Sequence, residues 1–260
     1  MTVAMLIDTT RCTACRGCQL ACKQWNNLPA EETEFSSTWT NPQRLSAKTW
    51  NLVDFREVQE GEDEVSWRFV NRRCMHCADP ACASVCPVGA LQKTEEGPVL
   101  YDAGKCIGCR YCMVACPFDT IGFQWDTPNP YIQKCTFCAD RLAMDAEPAC
   151  VKSCPTKALR FGDRDELLSE AHLRIGTNPD RYVNEIYGEN EAGGTSVLYL
   201  FSVPFEKLGM PEVVAEPLPK FTWGALAKVP GVVVGLTAML GGLTFVIKRR
   251  QLLGRKKPPR

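Results

Sequence analysis

The sequence is poor in several features that would direct a reading elsewhere. Only two of its 260 residues are histidine, and Lys plus Arg balance Asp plus Glu at 30 each, for a formal net charge of zero. That balance removes any whole-molecule attraction for nucleic acid, although it conceals an asymmetry described below. The opening MTVAMLIDTTRC has no basic n-region and an apolar run of only five residues, so it does not fit a secretory signal. No catalytic pattern stands out between residues 160 and 203. No cysteine lies outside a cysteine-rich motif, which excludes an incidental origin for any of them. A hydrophobic content of 45% at this length permits a real core.

What is present is 16 cysteines in four groups of four: Cys12, Cys15, Cys18 and Cys22; Cys74, Cys77, Cys82 and Cys86; Cys106, Cys109, Cys112 and Cys116; Cys135, Cys138, Cys150 and Cys154. A disulfide framework suits small exported chains without a core, and cysteines two or three residues apart would here need distant partners. Zinc is the stronger alternative, since paired C-x2-C units make tetrahedral thiolate sites. The first and third groups read C-x2-C-x2-C-x3-C, however, which crowds three thiolates onto one loop. That run followed by proline is the ligand pattern of bacterial ferredoxins, in which three cysteines hold one 4Fe-4S cluster and the fourth reaches a second. Pro87, Pro117 and Pro155 follow the last cysteine of their groups, whereas Lys23 takes that place in the first.

The repeat extends beyond the cysteines. LIDTTRCTACRGCQLAC from Leu6 aligns without a gap on LYDAGKCIGCRYCMVAC from Leu100, and CMHCADPACASVCPVGAL shares its pattern with CTFCADRLAMDAEPACVKSCPTKAL. The order is A, B, A′, B′, two tandem two-cluster units. Each A motif is expected to follow a short strand and open a short helix. TWNLVDFREV and EVSWRFV, flanking EGEDE, predict a β-hairpin, and TSVLYLF a buried strand covering the cluster core.

The cross-ligation rule assigns Cys74, Cys77 and Cys82 to one cluster with Cys116, and Cys106, Cys109 and Cys112 to another with Cys86. The outer groups then pair: Cys12, Cys15 and Cys18 with Cys154, and Cys135, Cys138 and Cys150 with Cys22. Four thiolates per cluster leave no open iron, and no C-x3-C-x2-C group occurs, so radical chemistry at a cluster is not expected. His76, inside C-M-H-C, is expected to be packed or solvent-facing rather than a ligand, and His172 to lie on the surface. Arg16 and Arg110 occupy equivalent places in the two A loops, as tuning charges, partner contacts or solvated cations.

These motifs, with the flank ACKQWNNLP, resemble the iron–sulfur (β) subunit of membrane-bound formate dehydrogenase, within the four-cluster subunits serving molybdenum and tungsten oxidoreductases. The likeness covers about residues 5 to 160. It implies a non-catalytic electron-transfer subunit with four 4Fe-4S clusters, fed by a molybdopterin-containing catalytic subunit and discharging to a membrane cytochrome b and quinone. The same wire serving a membrane hydrogenase or another molybdopterin reductase is the neighbouring alternative, and a zinc-stabilised interaction module the alternative of another class.

VPGVVVGLTAMLGGLTFVI, residues 229 to 247, carries no charge over 19 residues, enough to span about 28 Å of a roughly 30 Å hydrocarbon layer. Phe221 and Trp223 precede it as interfacial aromatics. Gly231, Gly235, Ala238 and Gly242 form one small-residue stripe, expected to pack against the membrane subunit. Lys248, Arg249, Arg250, Arg255, Lys256, Lys257 and Arg260 follow; with these seven removed from 30, the rest of the chain holds 23 Lys plus Arg against 30 Asp plus Glu, a net of −7. By the positive-inside rule the tail is cytoplasmic and the cluster domain periplasmic, which requires export on a partner's signal. The expected architecture is α+β: tandem ferredoxin-like units over residues 1–160 with a β-rich insertion near 40–72, a cover and linker over 161–220, a transmembrane helix over 221–248 and a basic tail over 249–260.

Overall fold

The computed structural model describes residues 2–33, 35–61 and 64–255. The first half contains β1 (Val3–Asp8), α1 (Gly17–Trp25), β2 (Asn51–Gln59), β3 (Val65–Arg73), α2 (Ala81–Ser84), β4 (Leu91–Lys93), β5 (Val99–Tyr101) and α3 (Tyr111–Ala115). There follow β6 (Gly122–Phe123), β7 (Ile132–Gln133), α4 (Ala139–Leu142), α5 (Ala149–Lys152), β8 (Leu159–Asp163), α6 (Arg164–Thr177), β9 (Ile186–Tyr187) and β10 (Val197–Leu200). Two helices close the chain, α7 (Leu218–Leu226) and α8 (Val229–Arg255).

The apolar run before Cys12 becomes the central strand of a four-stranded sheet ordered β8-β1-β10-β9. β1 pairs antiparallel with β8 and parallel with β10. Both faces of this sheet are covered, which is why VAMLI and VLYL are apolar at every position instead of alternating. Ala4, Leu6, Leu198 and Leu200 meet Leu167, Ala171 and Ile175 of α6 on one face. Met5, Ile7, Val197 and Tyr199 belong to the larger core on the other face, which includes Cys18, Cys150 and Phe137. Alternate residues of one strand thus divide between a helix-covered core and the cysteine loops.

α6 begins with Asp163 at its N-cap, accepting from the N–H groups of Asp165 and Glu166, with both acids in the first turn. Its last turn carries Arg174, which donates at 2.7 Å to Asp8, a side chain almost fully buried at the end of β1. Between β9 and β10, Gly188 has φ +98°, and a Cβ there would lie 2.3 Å from the Val197 carbonyl oxygen. Only glycine closes that turn without displacing β10.

The hairpin expected between the first two cysteine groups is β2 and β3, antiparallel from Asn51 opposite Arg73 to Gln59 opposite Val65. The strand predicted at TSVLYLF is β10, fully buried. Residues beyond 160 do more than cover the clusters: β8 and β10 flank β1 on both sides. The first compact unit runs Met1–Leu218, with most of the ladder around β1 supplied by β8 and β10.

The second unit, Pro219–Arg260, contains the apolar helical stretch. Leu218–Leu253 has a mean hydropathy of 1.9 and no buried residue within its most apolar window, so it is long and apolar enough to cross a membrane. This stretch is longer at both ends than the 221–248 expected. Helical backbone continues through Lys248, Arg249 and Arg250; Lys256, Lys257 and Arg260 of the expected basic tail lie outside the described residues.

Candidate metal centres

Each A motif turns from loop into helix through an arginine in the left-handed region, Arg16 with φ 57° ahead of α1 and Arg110 with φ 63° ahead of α3. Both guanidinium groups lie over aromatic rings. Arg16 sits 4.7 Å from the centroid of Phe55 in the hairpin, and Arg110 sits 5.4 Å from Phe123 and 5.1 Å from Trp125. Of the roles open to these residues in the sequence, the structure shows cation–π contacts within the chain. α3 stops at Ala115 because Pro117 holds Cys116 in extended backbone, ψ 111°. Lys23, standing where a proline is expected, lets α1 run on to Trp25, and its Nζ donates to the carbonyls of Pro29 and Lys48 at 3.0 and 2.7 Å.

The short helices pair in a definite way. α1, which carries Cys18 and Cys22, packs on α5, which carries Cys150 and leads to Cys154; α2, carrying Cys82 and leading to Cys86, packs on α3, carrying Cys112. A is thereby folded onto B′, and B onto A′. Two cavities lie among the cysteines. One is lined by Cys74, Cys77, Cys82 and Cys116 together with His76, Val99 and Phe118. The other is lined by Cys22, Cys135, Cys138 and Cys150 together with Met5, Asn26 and Arg73. Each combines three cysteines of a B motif with the fourth of an A motif. Burial first, and then the neighbouring Cys154 and Cys15, raise the Cys12 thiol, and burial, then Cys109 and Cys106, raise that of Cys112. Cys15 and Cys109, at equivalent positions, are the two exposed cysteines.

The donor chemistry fits an iron–sulfur cluster. Among the described residues no three His, Cys, Asp or Glu side chains converge tightly enough for a single metal ion, which four thiolates about 2.3 Å from zinc would require. Three cysteines of one motif with the fourth of another around each cavity match the shared ligation of paired 4Fe-4S clusters. Sulfur atoms also receive hydrogen bonds: from the N–H of Gly108 to Cys106 and of Phe137 to Cys135, both at 3.4 Å, and of Ala90 to Cys86 at 3.2 Å. Asn71 Nδ2 donates to Cys18 at 3.2 Å, and an Arg73 terminal nitrogen to Cys150 at 3.1 Å. Such bonds are among the levers that set cluster potentials.

Burial pushes the Cys18 and Cys82 thiols up to about 12 and those of Cys112 and Cys138 to about 11, with neighbouring cysteines adding to the rise. Burial likewise raises Cys22 and Cys77. At Cys86 the burial effect, upward, is outweighed by the N–H groups of Leu91, Val88, Ala90 and Gly89, and the thiol falls below its ordinary value. In the metal-free chain most ligands are thus neutral thiols, and metal binding displaces their protons.

His76 is packed, with no exposed surface. Val99 N–H donates to its Nδ1 at 2.9 Å, which places the ring proton on Nε2. Nε2 has no hydrogen-bond partner. Burial, and after it Lys134, Lys93 and Arg73, hold its pKa well below the ordinary histidine value, so the ring is neutral. His172 is exposed, with Nε2 3.1 Å from a Glu189 carboxylate oxygen. Sequence reading missed Arg73 and Lys134, both buried; the available signal was a basic residue directly before the first cysteine of each B motif.

Comparison with known proteins agrees with this geometry. Two 4Fe-4S dicluster domain families match, over residues 11–90 and 65–164. A protein of Nitratidesulfovibrio vulgaris (strain Hildenborough) is 44% identical over 95% of this chain and 67% of its own length. The iron–sulfur subunit of the nitrate-inducible formate dehydrogenase of Escherichia coli K12 is 35% identical over 94% of this chain and 83% of its own. The hydrogenase-2 operon protein HybA of Escherichia coli O157:H7 is 34% identical over 95% and 84%. The chain therefore belongs to the family of 4Fe-4S iron–sulfur subunits that includes those of formate dehydrogenase.

Proposed function

We propose that this chain carries electrons through four 4Fe-4S clusters, from the molybdenum or tungsten catalytic subunit of a formate dehydrogenase to a membrane cytochrome b and quinone. The observation that carries this reading is the folding of A onto B′ and of B onto A′, which supports two cluster pairs built by shared cysteines. Cys74, Cys77, Cys82 and Cys116 form one ligand set, and Cys135, Cys138, Cys150 and Cys22 another. Cys12, Cys15, Cys18 and Cys154 form the third, and Cys106, Cys109, Cys112 and Cys86 the fourth. When bound, such clusters exchange one electron at a time. The protein holds them in fixed positions, supplies N–H donors to their sulfurs and buries the two inner clusters, those of the sets containing Cys77 and Cys138. No residue acts on a substrate.

The helix of residues 218–253 anchors the subunit, with Gly231, Gly235, Ala238 and Gly242 against the cytochrome subunit, the basic tail cytoplasmic and the cluster unit periplasmic. Support comes from its length, its hydropathy and the positive charge that follows it. A tag placed after Arg260 is expected to be protease-resistant in spheroplasts and sensitive in inverted vesicles; the reverse pattern overturns the orientation.

The relative named as a hydrogenase-2 operon protein supports the second reading, hydrogen as the electron source. The native complex, purified anaerobically in mild detergent with its catalytic subunit identified by mass spectrometry, separates the two. Bleaching of the visible cluster absorbance by formate supports the first; bleaching by hydrogen but not formate replaces it with the second.

A further inference from the structure

Arg73 and Lys134 occupy the same place in the two B motifs, one residue before Cys74 and one before Cys135. Each is almost fully buried, at 2% and 3% exposure, and neither has a carboxylate partner among the described residues. An unpaired buried cation is costly unless something negative compensates it. Their side chains cross over. Arg73 does not line the cavity of its neighbour Cys74 but that of the other repeat, where one terminal nitrogen donates to Cys150 Sγ at 3.1 Å and the other lies 2.6 Å from Met5 Sδ. Its Nε is buried without a partner. Lys134 Nζ donates to the carbonyl of Val99, a wall residue of the Cys74 cavity, and at 3.0 Å to that of Cys135 beside it, while its charge favours the ionised form of Cys82 in the Cys74 cavity. Between the two stand His76 and Phe137, themselves equivalent residues of the two motifs, with rings edge to face at 4.8 Å.

Resting on the cluster reading above, we propose that Arg73 and Lys134 are a reciprocal pair of charges, each raising the reduction potential of the cluster held by the opposite repeat. Added negative charge on a cluster is stabilised by a fixed cation and by a hydrogen bond to its thiolate. The consequence is that the potentials of the two inner clusters are set across the pseudosymmetry interface. Arginine on one side, bonded to sulfur, and lysine on the other, bonded to backbone carbonyls, make them unequal.

The test compares Arg73→Met, Arg73→Lys and Lys134→Met in the complete complex by EPR-monitored redox titration. The two inner signals are assigned beforehand with Cys138→Ser and Cys77→Ser. Arg73→Met is expected to lower the midpoint of the signal sensitive to Cys138→Ser by at least tenfold in the equilibrium, about 59 mV for one electron, and to move the Cys77 signal less. Arg73→Lys should restore most of the shift, and Lys134→Met should lower chiefly the Cys77 signal. A larger shift at the sequence-adjacent cluster, equal shifts at both, or an Arg73→Lys protein as displaced as Arg73→Met overturns the inference. If Arg73→Met fails to assemble, Lys134→Met decides, and an unmoved Cys77 signal overturns it. Iron and acid-labile sulfide in the parent complex are measured first. Their absence sinks the cluster reading itself, whereas their presence with unmoved midpoints sinks only the reciprocal pair.

Discussion

The two A motifs begin with the same local device and put it to different ends. Asp8 and Asp102 are equivalent, and each accepts a hydrogen bond from the backbone N–H two residues on, Thr10 at 3.1 Å and Gly104 at 2.9 Å. Asp8 is then buried, bonded to Arg174 and to the Tyr182 hydroxyl at 2.8 Å. Asp102 stays exposed beside Lys105. The first motif follows the central strand of a sheet covered on both faces; the second follows β5, part of a two-stranded hairpin. A repeated sequence thus secures the loop, while the surroundings decide how much stability hangs on it. The B motifs differ in the same sense. The longer spacer of the second contains α4, whose Arg141 stacks 4.3 Å over Trp25 while Asp140 accepts from the Trp25 indole N–H at 2.7 Å.

The sharpest way to break the comparison is to remove the iron. Chelation under reducing conditions is expected to abolish the cooperative thermal transition of residues 1–218, because cluster binding is coupled to folding. Far-ultraviolet circular dichroism in detergent should retain the signal of the 218–253 helix. Single serine substitutions come next. Cys77→Ser and Cys116→Ser should each lose the same EPR signal and one cluster's share of iron, and Cys138→Ser and Cys22→Ser a different one. Loss of a third signal in Cys116→Ser would break the crossed assignment.

Asp8→Ala takes the buried carboxylate from Arg174, which keeps Glu170, and from the Tyr182 hydroxyl, and is expected to destabilise the first unit by about 1–3 kcal/mol; Asp102→Ala should unfold at the temperature of the parent. Equal losses, measured by thermal denaturation, would mean that the turn and not the burial matters. Smaller losses than for Asp8→Ala, about 0.5–1 kcal/mol each, are expected for Arg16→Ala and Arg110→Ala from the lost cation–π contacts. A double substitution should be additive, since Arg16 lies over Phe55 and Arg110 over Phe123 and Trp125.

By itself the sequence determined that the cysteines fall into four groups of four, that the motifs repeat in the order A, B, A′, B′, and that one apolar helix follows. Ligand spacing, strand periodicity and hydropathy are local properties, set by a loop, a pleat or a run of side chains. The hairpin was legible for the same reason, as two β-rich segments flanking a charged turn. Tertiary structure alone decided that residues 159–200 complete the sheet around β1, since a fully apolar strand does not name its neighbours. It alone placed Asp8 under Arg174, carried the Arg73 side chain to Cys150 of the other repeat and set Lys134 against the Val99 carbonyl. Long side chains reach across an interface that sequence order does not describe, and burial, which gives those charges their force, exists only once both halves have closed upon each other.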